Sequence, residues 1–210
     1  MGQSKFILCL VACLATVAGV GCWMAYRILR PLPPPSYVET TIGETLLRIH
    51  QSYARPGELT AGGLERVDII ARFPDFRAAG ASFARDAQDV VYLRLQPQDQ
   101  SLEPSERTMK LYARFLEQTA WNNPGGLIMR RFEKGSPYER EDLYLAPPEG
   151  RIFAARCMRP SQPPDGLPNT CITEFRLRGL DAQLRFVPDL LPEWERLMDG
   201  ARGLIESLAR

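Results

Sequence analysis

Hydrophobic positions divide this chain into one unbroken apolar run and a longer stretch in which apolar and polar residues alternate at short periods. From Phe6 to Ile28 no charged side chain interrupts the run before Arg27; Lys5 precedes it and Arg30 follows it. At about 1.5 Å of rise per residue, such a helix crosses a hydrocarbon core of roughly 30 Å with some tilt. The pattern predicts a transmembrane signal-anchor over 1–30. The segment Pro31-Leu32-Pro33-Pro34-Pro35 must be extended, because proline fixes φ and removes backbone donors, so 31–40 reads as a stiff stalk.

Periodicity beyond the stalk predicts both kinds of element. Thr41 and Glu44 make a capping-box pattern, and Ile42, Leu46, Ile49 and Tyr53 recur at helical spacing, which predicts a short amphipathic helix over 41–53. A two-residue period marks strands near 67–73 and 89–95. After Pro104, a favourable first helical residue, Met109, Tyr112, Phe115, Leu116, Thr119 and Ala120 fall on one face of a second helix that Asn122 through Gly126 would stop. Further strands are expected near 127–133, 142–146, 151–157, 172–178 and 182–187. A final helix begins near Pro192, with Trp194, Leu197, Met198, Ala201, Leu204, Ile205 and Leu208 on one stripe. Strands that cluster rather than alternate with helices indicate an α+β fold, an antiparallel β-sheet with two longer helices packed on one face, occupying 41–210.

Charge narrows the function classes. The first 30 residues hold three of the 26 basic residues and none of the 25 acidic ones, leaving 23 against 25 in the remainder. A near-neutral domain lacks the basic face that nucleic-acid binding requires. The basic residues are overwhelmingly arginine, a composition common in GC-rich bacterial genomes.

Cys9, Cys13 and Cys22 lie in the apolar run, so Cys157 and Cys171 form the one pair available to the domain. They close a short loop and predict a structural disulfide in an oxidising compartment, with Cα atoms roughly 4.4–6.8 Å apart; two buried free thiols are the alternative. Together with the signal-like start, this favours a topology with the N-terminus inside and the domain in the periplasm, anchored in the inner membrane. Two lipobox-like stretches, ending at Cys13 and Cys22, keep a lipoprotein reading open, and a cleaved signal is the third.

Candidate chemistry is sparse. His50 is the single histidine, and no nucleophile motif accompanies it, so a Ser-His-Asp arrangement has little to build on. With one histidine and one cysteine pair, no metal-ligand set or cofactor motif is formed. Glu139, Glu141 and Asp142 could supply paired carboxylates for glycan hydrolysis, or simply be a solvated acidic loop. Arginines recur in the late strands, at Arg130, Arg131, Arg151, Arg156, Arg159, Arg176, Arg178 and Arg185. Of these, Arg156, Arg176, Arg178 and Arg185 are expected to form an anionic-partner site if they share a sheet face, Arg176 and Arg178 doing so by strand alternation. The sequence therefore points to a membrane-anchored, non-catalytic binding or accessory module with a protein partner, possible subunit or assembly factor of a membrane complex. An extracytoplasmic inhibitor or immunity-type protein and a glycan- or lipid-acting hydrolase are the alternatives.

Overall fold

The structure, a computed structural model, describes residues 23–24, 36–80, 88–159 and 170–210. The expected anchor, apart from Trp23 and Met24, and the proline run lie outside the described residues. Among the described residues no helix is long and apolar enough to cross a membrane. The chain divides into two units, Met1–Pro35 and Ser36–Arg210, and only the second is described below.

Among the described residues twelve strands build this unit: β1 (Tyr37–Ile42), β2 (Thr45–His50), β3 (Gly62–Gly63), β4 (Val67–Arg72), β5 (Arg77–Ala78), β6 (Val90–Pro97), β7 (Leu116–Asn122), β8 (Ile128–Phe132), β9 (Glu141–Leu145), β10 (Ala154–Met158), β11 (Cys171–Leu177) and β12 (Leu180–Phe186). Nine form one antiparallel sheet in the order β5-β4-β6-β12-β11-β10-β9-β8-β7, and three form a small sheet in the order β2-β1-β3. The α-helices are α1 (Pro104–Arg107) and α2 (Trp194–Leu208).

One face of the large sheet carries the main core. Val67, Ile69 and Ala71 of β4, Val91, Leu93 and Leu95 of β6, and Leu180, Ala182, Leu184 and Phe186 of β12 are buried there with Leu197, Met198, Ala201, Leu204, Ile205 and Leu208 of α2. The final helix thus follows its expected stripe. Trp194, at its start, is half-buried; its ring lies 5.1 Å from that of Phe153, and its indole N–H donates to the Gly125 carbonyl at 2.9 Å. Gly125 has φ +79°, and a Cβ there would come within 2.8 Å of the Pro192 carbonyl oxygen, so glycine is required for this approach.

Two expected helices are corrected. Residues 41–53 form the end of β1, all of β2 and one 3₁₀ turn (Gln51–Tyr53). Val38, Thr40 and Ile42 alternate into the core, as do Leu47 and Ile49, whereas Leu46, counted on the helical stripe, is 39% exposed. Gly43, at φ +58°, closes the hairpin, and β1 takes up Tyr37–Thr40, which the sequence reading had assigned to the stalk. The second helix begins at Pro104 as expected but ends after α1 in a π-helical turn (Thr108–Tyr112) and a 3₁₀ turn (Ala113–Phe115). Leu116 then opens β7, which pairs with β8, so the Asn122–Gly126 turn joins two strands instead of stopping a helix. Among the described residues one long helix, not two, therefore covers the sheet.

Candidate functional site

The opposite face of the large sheet gathers Arg94, Arg130, Arg156, Arg176 and Arg185. Cross-strand register lines up Ile70, Tyr92, Arg185, Ile172, Arg156, Leu143, Arg130 and Ala120 across eight successive strands. A neighbouring row sets Asp68, Arg94, Gln183 and Glu174 side by side, and a third pairs Asp181 with Arg176. Strand alternation delivers these residues to one face, and their pairing decides what the face can do.

At the β4–β11 end the face is a lattice of ion pairs. Arg94 binds Asp68 at 2.7 Å, Arg107 binds Glu174, and Gln183 donates to Glu174 at 3.2 Å. The Arg176 guanidinium, 13% exposed, reaches Asp181 at 2.7 Å, Glu103 at 3.0 Å and Asp99 at 3.3 Å, and also donates to the Ser101 carbonyl. The Asp181 carboxylate raises the Arg176 pKa further, with Glu103 adding to it. Asp99 is held below the usual carboxylate range, first by the hydroxyl and backbone N–H of Ser101 and then by Arg176. A cleft of about 110 Å³ lies among Arg94, Ser101, Arg107, Glu174 and Asp181, walled by groups already satisfied by one another.

Further along, the face becomes aromatic. Tyr112, Phe115, Phe132 and Tyr138 pack with centroids 4.9–5.9 Å apart, mostly edge-to-face, over Leu143 and Leu145. Arg156 stacks on Tyr138 and Tyr112, 5.2 and 5.8 Å from their centroids, and donates to Glu141 at 2.6 Å. Burial pushes the Tyr112 phenol pKa up, an effect the nearby Arg156 charge only partly offsets.

The four arginines expected to form one anionic-partner site are thus placed differently from one another. Arg156 and Arg176 are engaged with carboxylates, and Arg185 is exposed and donates to the Gln183 side-chain oxygen at 3.0 Å. Arg178 does not share a strand face with Arg176: β11 ends at Leu177, and Arg178, at φ +52°, forms the tight turn with Gly179, at φ +74°. A two-residue type I′ hairpin turn has positive φ at both central positions, which takes Arg178 off the alternating pattern.

Cys157 and Cys171 are bonded, as expected. They are direct cross-strand partners on β10 and β11, and their Cα atoms are 4.0 Å apart, closer than the expected range. Such opposed residues already lie about 4.5 Å apart in a non-hydrogen-bonded antiparallel pair. The candidate carboxylate cluster is dispersed: Glu139 accepts from the Gly135 N–H, Glu141 binds Arg156, and Asp142 binds Arg159. His50 Nδ1 accepts from the Ser52 backbone N–H at 3.2 Å, capping a 3₁₀ turn, and its ring lies edge-on to Tyr37. Among the described residues no group of three or more His, Cys, Asp or Glu is arranged to hold a metal.

Sequence reasoning missed a groove of about 380 Å³ beside β7, the strand that ends the large sheet. Met109 and Ala113 of the irregular turns, Ala120 of β7, Ile128 of β8 and Leu145 of β9 line it. The Thr108 hydroxyl and the Arg130 Nε, also at its wall, are buried without a hydrogen-bond partner among the described residues. The misread helix hid this feature, since it depends on β7 being a strand.

An antiparallel sheet with one apolar face under a long helix defines the class as an α+β domain. No family model matches the sequence, and no curated protein matches it. Among solved structures, it is similar to Smlt3025, an immunity protein of the Stenotrophomonas maltophilia type IV secretion system, with a TM-score of 0.59 and 15% identity over 86% of this chain and 98% of that chain. A weaker likeness is to FrpD, an iron-regulated outer membrane lipoprotein of Neisseria meningitidis, with a TM-score of 0.46 and 14% identity over 82% of this chain and 92% of that one. The first likeness shows a shared fold.

Proposed function

We propose that this protein is a non-catalytic binding module of the bacterial envelope and, more narrowly, an immunity-type inhibitor that binds a secreted toxic protein. The observation that carries this reading is the shared fold with an immunity protein across 98% of that protein's length. Two features support it. The polar side chains of the open face are committed to one another and not to an acid-base pair, and the disulfide suits an oxidising compartment. In this reading 1–30 anchors the chain in the inner membrane, 31–35 spaces it from the bilayer, and the domain acts in the periplasm; of the four arginines first considered, Arg178 and Arg185 are exposed, and Arg185 is the one in mid-sheet left to meet an anionic group.

The test is co-production. A secreted protein encoded beside this chain is exported to the periplasm of a host, alone and with the full-length chain. Growth rescue and a co-purifying complex are expected, and both should vanish when residues 1–35 are removed so that the domain stays in the cytoplasm. Absence of rescue and complex with the full chain would reject the inhibitor reading.

A further inference from the structure

The groove beside β7 combines three things. First, among the described residues β7 pairs with β8 on one side alone, with a register shift between Leu116 and Ala120, so the other side of the strand offers backbone N–H and C=O groups. The opposite end of the sheet, β5, is two residues long and offers little. Second, Thr108 is 3% exposed and its hydroxyl has no partner among the described residues, as is true of the buried Arg130 Nε. Leaving such groups unsatisfied is costly, and acceptor oxygens in the groove would relieve them. Gly150 keeps that position open: its φ is +72°, and a Cβ there would stand 2.6 Å from Leu145 Cδ2 and 3.2 Å from the Thr108 hydroxyl oxygen.

Third, the charge differs. Arg94, Arg107, Arg156, Arg159 and Arg176 are all in ion pairs, whereas Arg130, in the groove's lining, and Arg114, next to Ala113 of that lining, are in none among the described residues. The one carboxylate in the lining, Glu149, is already bound by Arg151 at 2.9 Å, so positive charge is in excess there. An extended acidic segment matches every element: its backbone fits the strand edge, its apolar side chains fit the walls around Met109, which is 50% exposed, and its acceptors fit Thr108 and Arg130.

We propose that the groove beside β7 receives an extended, acidic segment of the protein partner, which adds to the free edge of β7 and sets carbonyl or carboxylate oxygens on Thr108 and Arg130. This rests on the binding-module reading and names the surface that performs it.

The probe is the blocked pentapeptide acetyl-Val-Thr-Val-Glu-Val-amide, with Lys replacing Glu in a control, titrated into the isotopically labelled full-length chain in detergent. The acidic peptide should shift the amides of Leu116–Asn122 and Thr108 at millimolar concentration and leave Arg77 and Ala78 unmoved. The control should bind about threefold more weakly. Thr108→Val should weaken binding about fivefold, the value of one hydrogen bond, while melting no lower than the parent, because it removes a buried hydroxyl with no internal partner. Ala113→Trp, which fills the groove from an exposed position, should abolish binding. The proposal is overturned if neither peptide moves β7, if β5 responds equally, or if Thr108→Val binds as the parent does. Should the co-produced toxin be captured unchanged by Ala113→Trp, this surface fails while the inhibitor reading stands; peptide binding without any toxin partner gives the reverse.

Discussion

The two faces of the nine-stranded sheet are made from the same strands yet held by different physics. On the covered face, Ile69, Leu93 and Leu184 lie in one cross-strand row under α2 and stay together because water is excluded. On the open face, one residue along each strand, Ile70, Tyr92 and Arg185 hold the equivalent row, and the next row is Asp68, Arg94, Gln183 and Glu174. Burial on the first face is non-directional and tolerates exchange among apolar residues of similar size. Ion pairing on the second needs a particular partner at a particular register, so its residues are arranged for specificity more than for stability.

This contrast can be broken at graded cost. Leu197→Ala, at a position with 0% exposure between helix and sheet, should lower stability by about 3–5 kcal/mol in denaturant unfolding; a loss under about 1 kcal/mol would mean that α2 is not the principal cover. Reducing the Cys157–Cys171 bond, or replacing both cysteines with serine, should cost about 3 kcal/mol, because the bridge closes a loop with a sequence separation of 14 and joins the neighbouring strands β10 and β11. Melting with and without reductant reads this directly.

On the open face the effects should be smaller. Arg176→Ala removes the guanidinium shared by Asp99, Glu103 and Asp181 and should cost about 1–3 kcal/mol, while Arg185→Ala, lacking a carboxylate partner among the described residues, should change stability by less than about 0.5 kcal/mol. Equal losses for the two would erase the distinction drawn between paired and unpaired arginines. The smallest effect is one of pH. Burial raises the Tyr112 pKa above its ordinary value of about 10. Stability from this group is therefore intact below about pH 10, and it falls as the pH rises through the folded value, where the unfolded chain has released a proton that the folded chain retains. Tyr112→Phe should flatten that alkaline decline in melting profiles; an unchanged slope would assign the decline to the raised Tyr53 and Tyr144 instead.

The same contrast explains what the sequence disclosed. The strands at 67–72 and 90–97, the late strands, the disulfide and the stripe of α2 are all written in apolar periodicity or cysteine spacing, and each is where the sequence put it to within a few residues. The hairpin at 37–50 failed because Ile42, Leu46 and Ile49 satisfy helical spacing while Ile42, Leu47 and Ile49 satisfy the strands; Gly43 decides between them, and its conformation is tertiary information. The 104–121 region failed because a π-helical turn redirects the chain at Tyr112 into the aromatic cluster, releasing Leu116 to start an edge strand. The ion pairs were not legible for another reason. Arg176 could be counted from the sequence, but its partners Asp99, Glu103 and Asp181 depend on which strand lies beside which.

Helix α2 also fixes where the protein can be handled. At its first residue Trp194 holds Gly125 in the β7–β8 turn. Just past its last, Ala209 bridges Leu47, and the Arg210 backbone N–H and guanidinium reach Leu46 and Glu39 beside the chain's entry at Ser36. Fifteen residues at about 1.5 Å each separate these ends by roughly 22 Å. An affinity tag or reporter fused after Arg210 would crowd the first hairpin and leave the β7–β8 turn a full helix length away, whereas an insertion at Gly126 would sit directly on the edge under test.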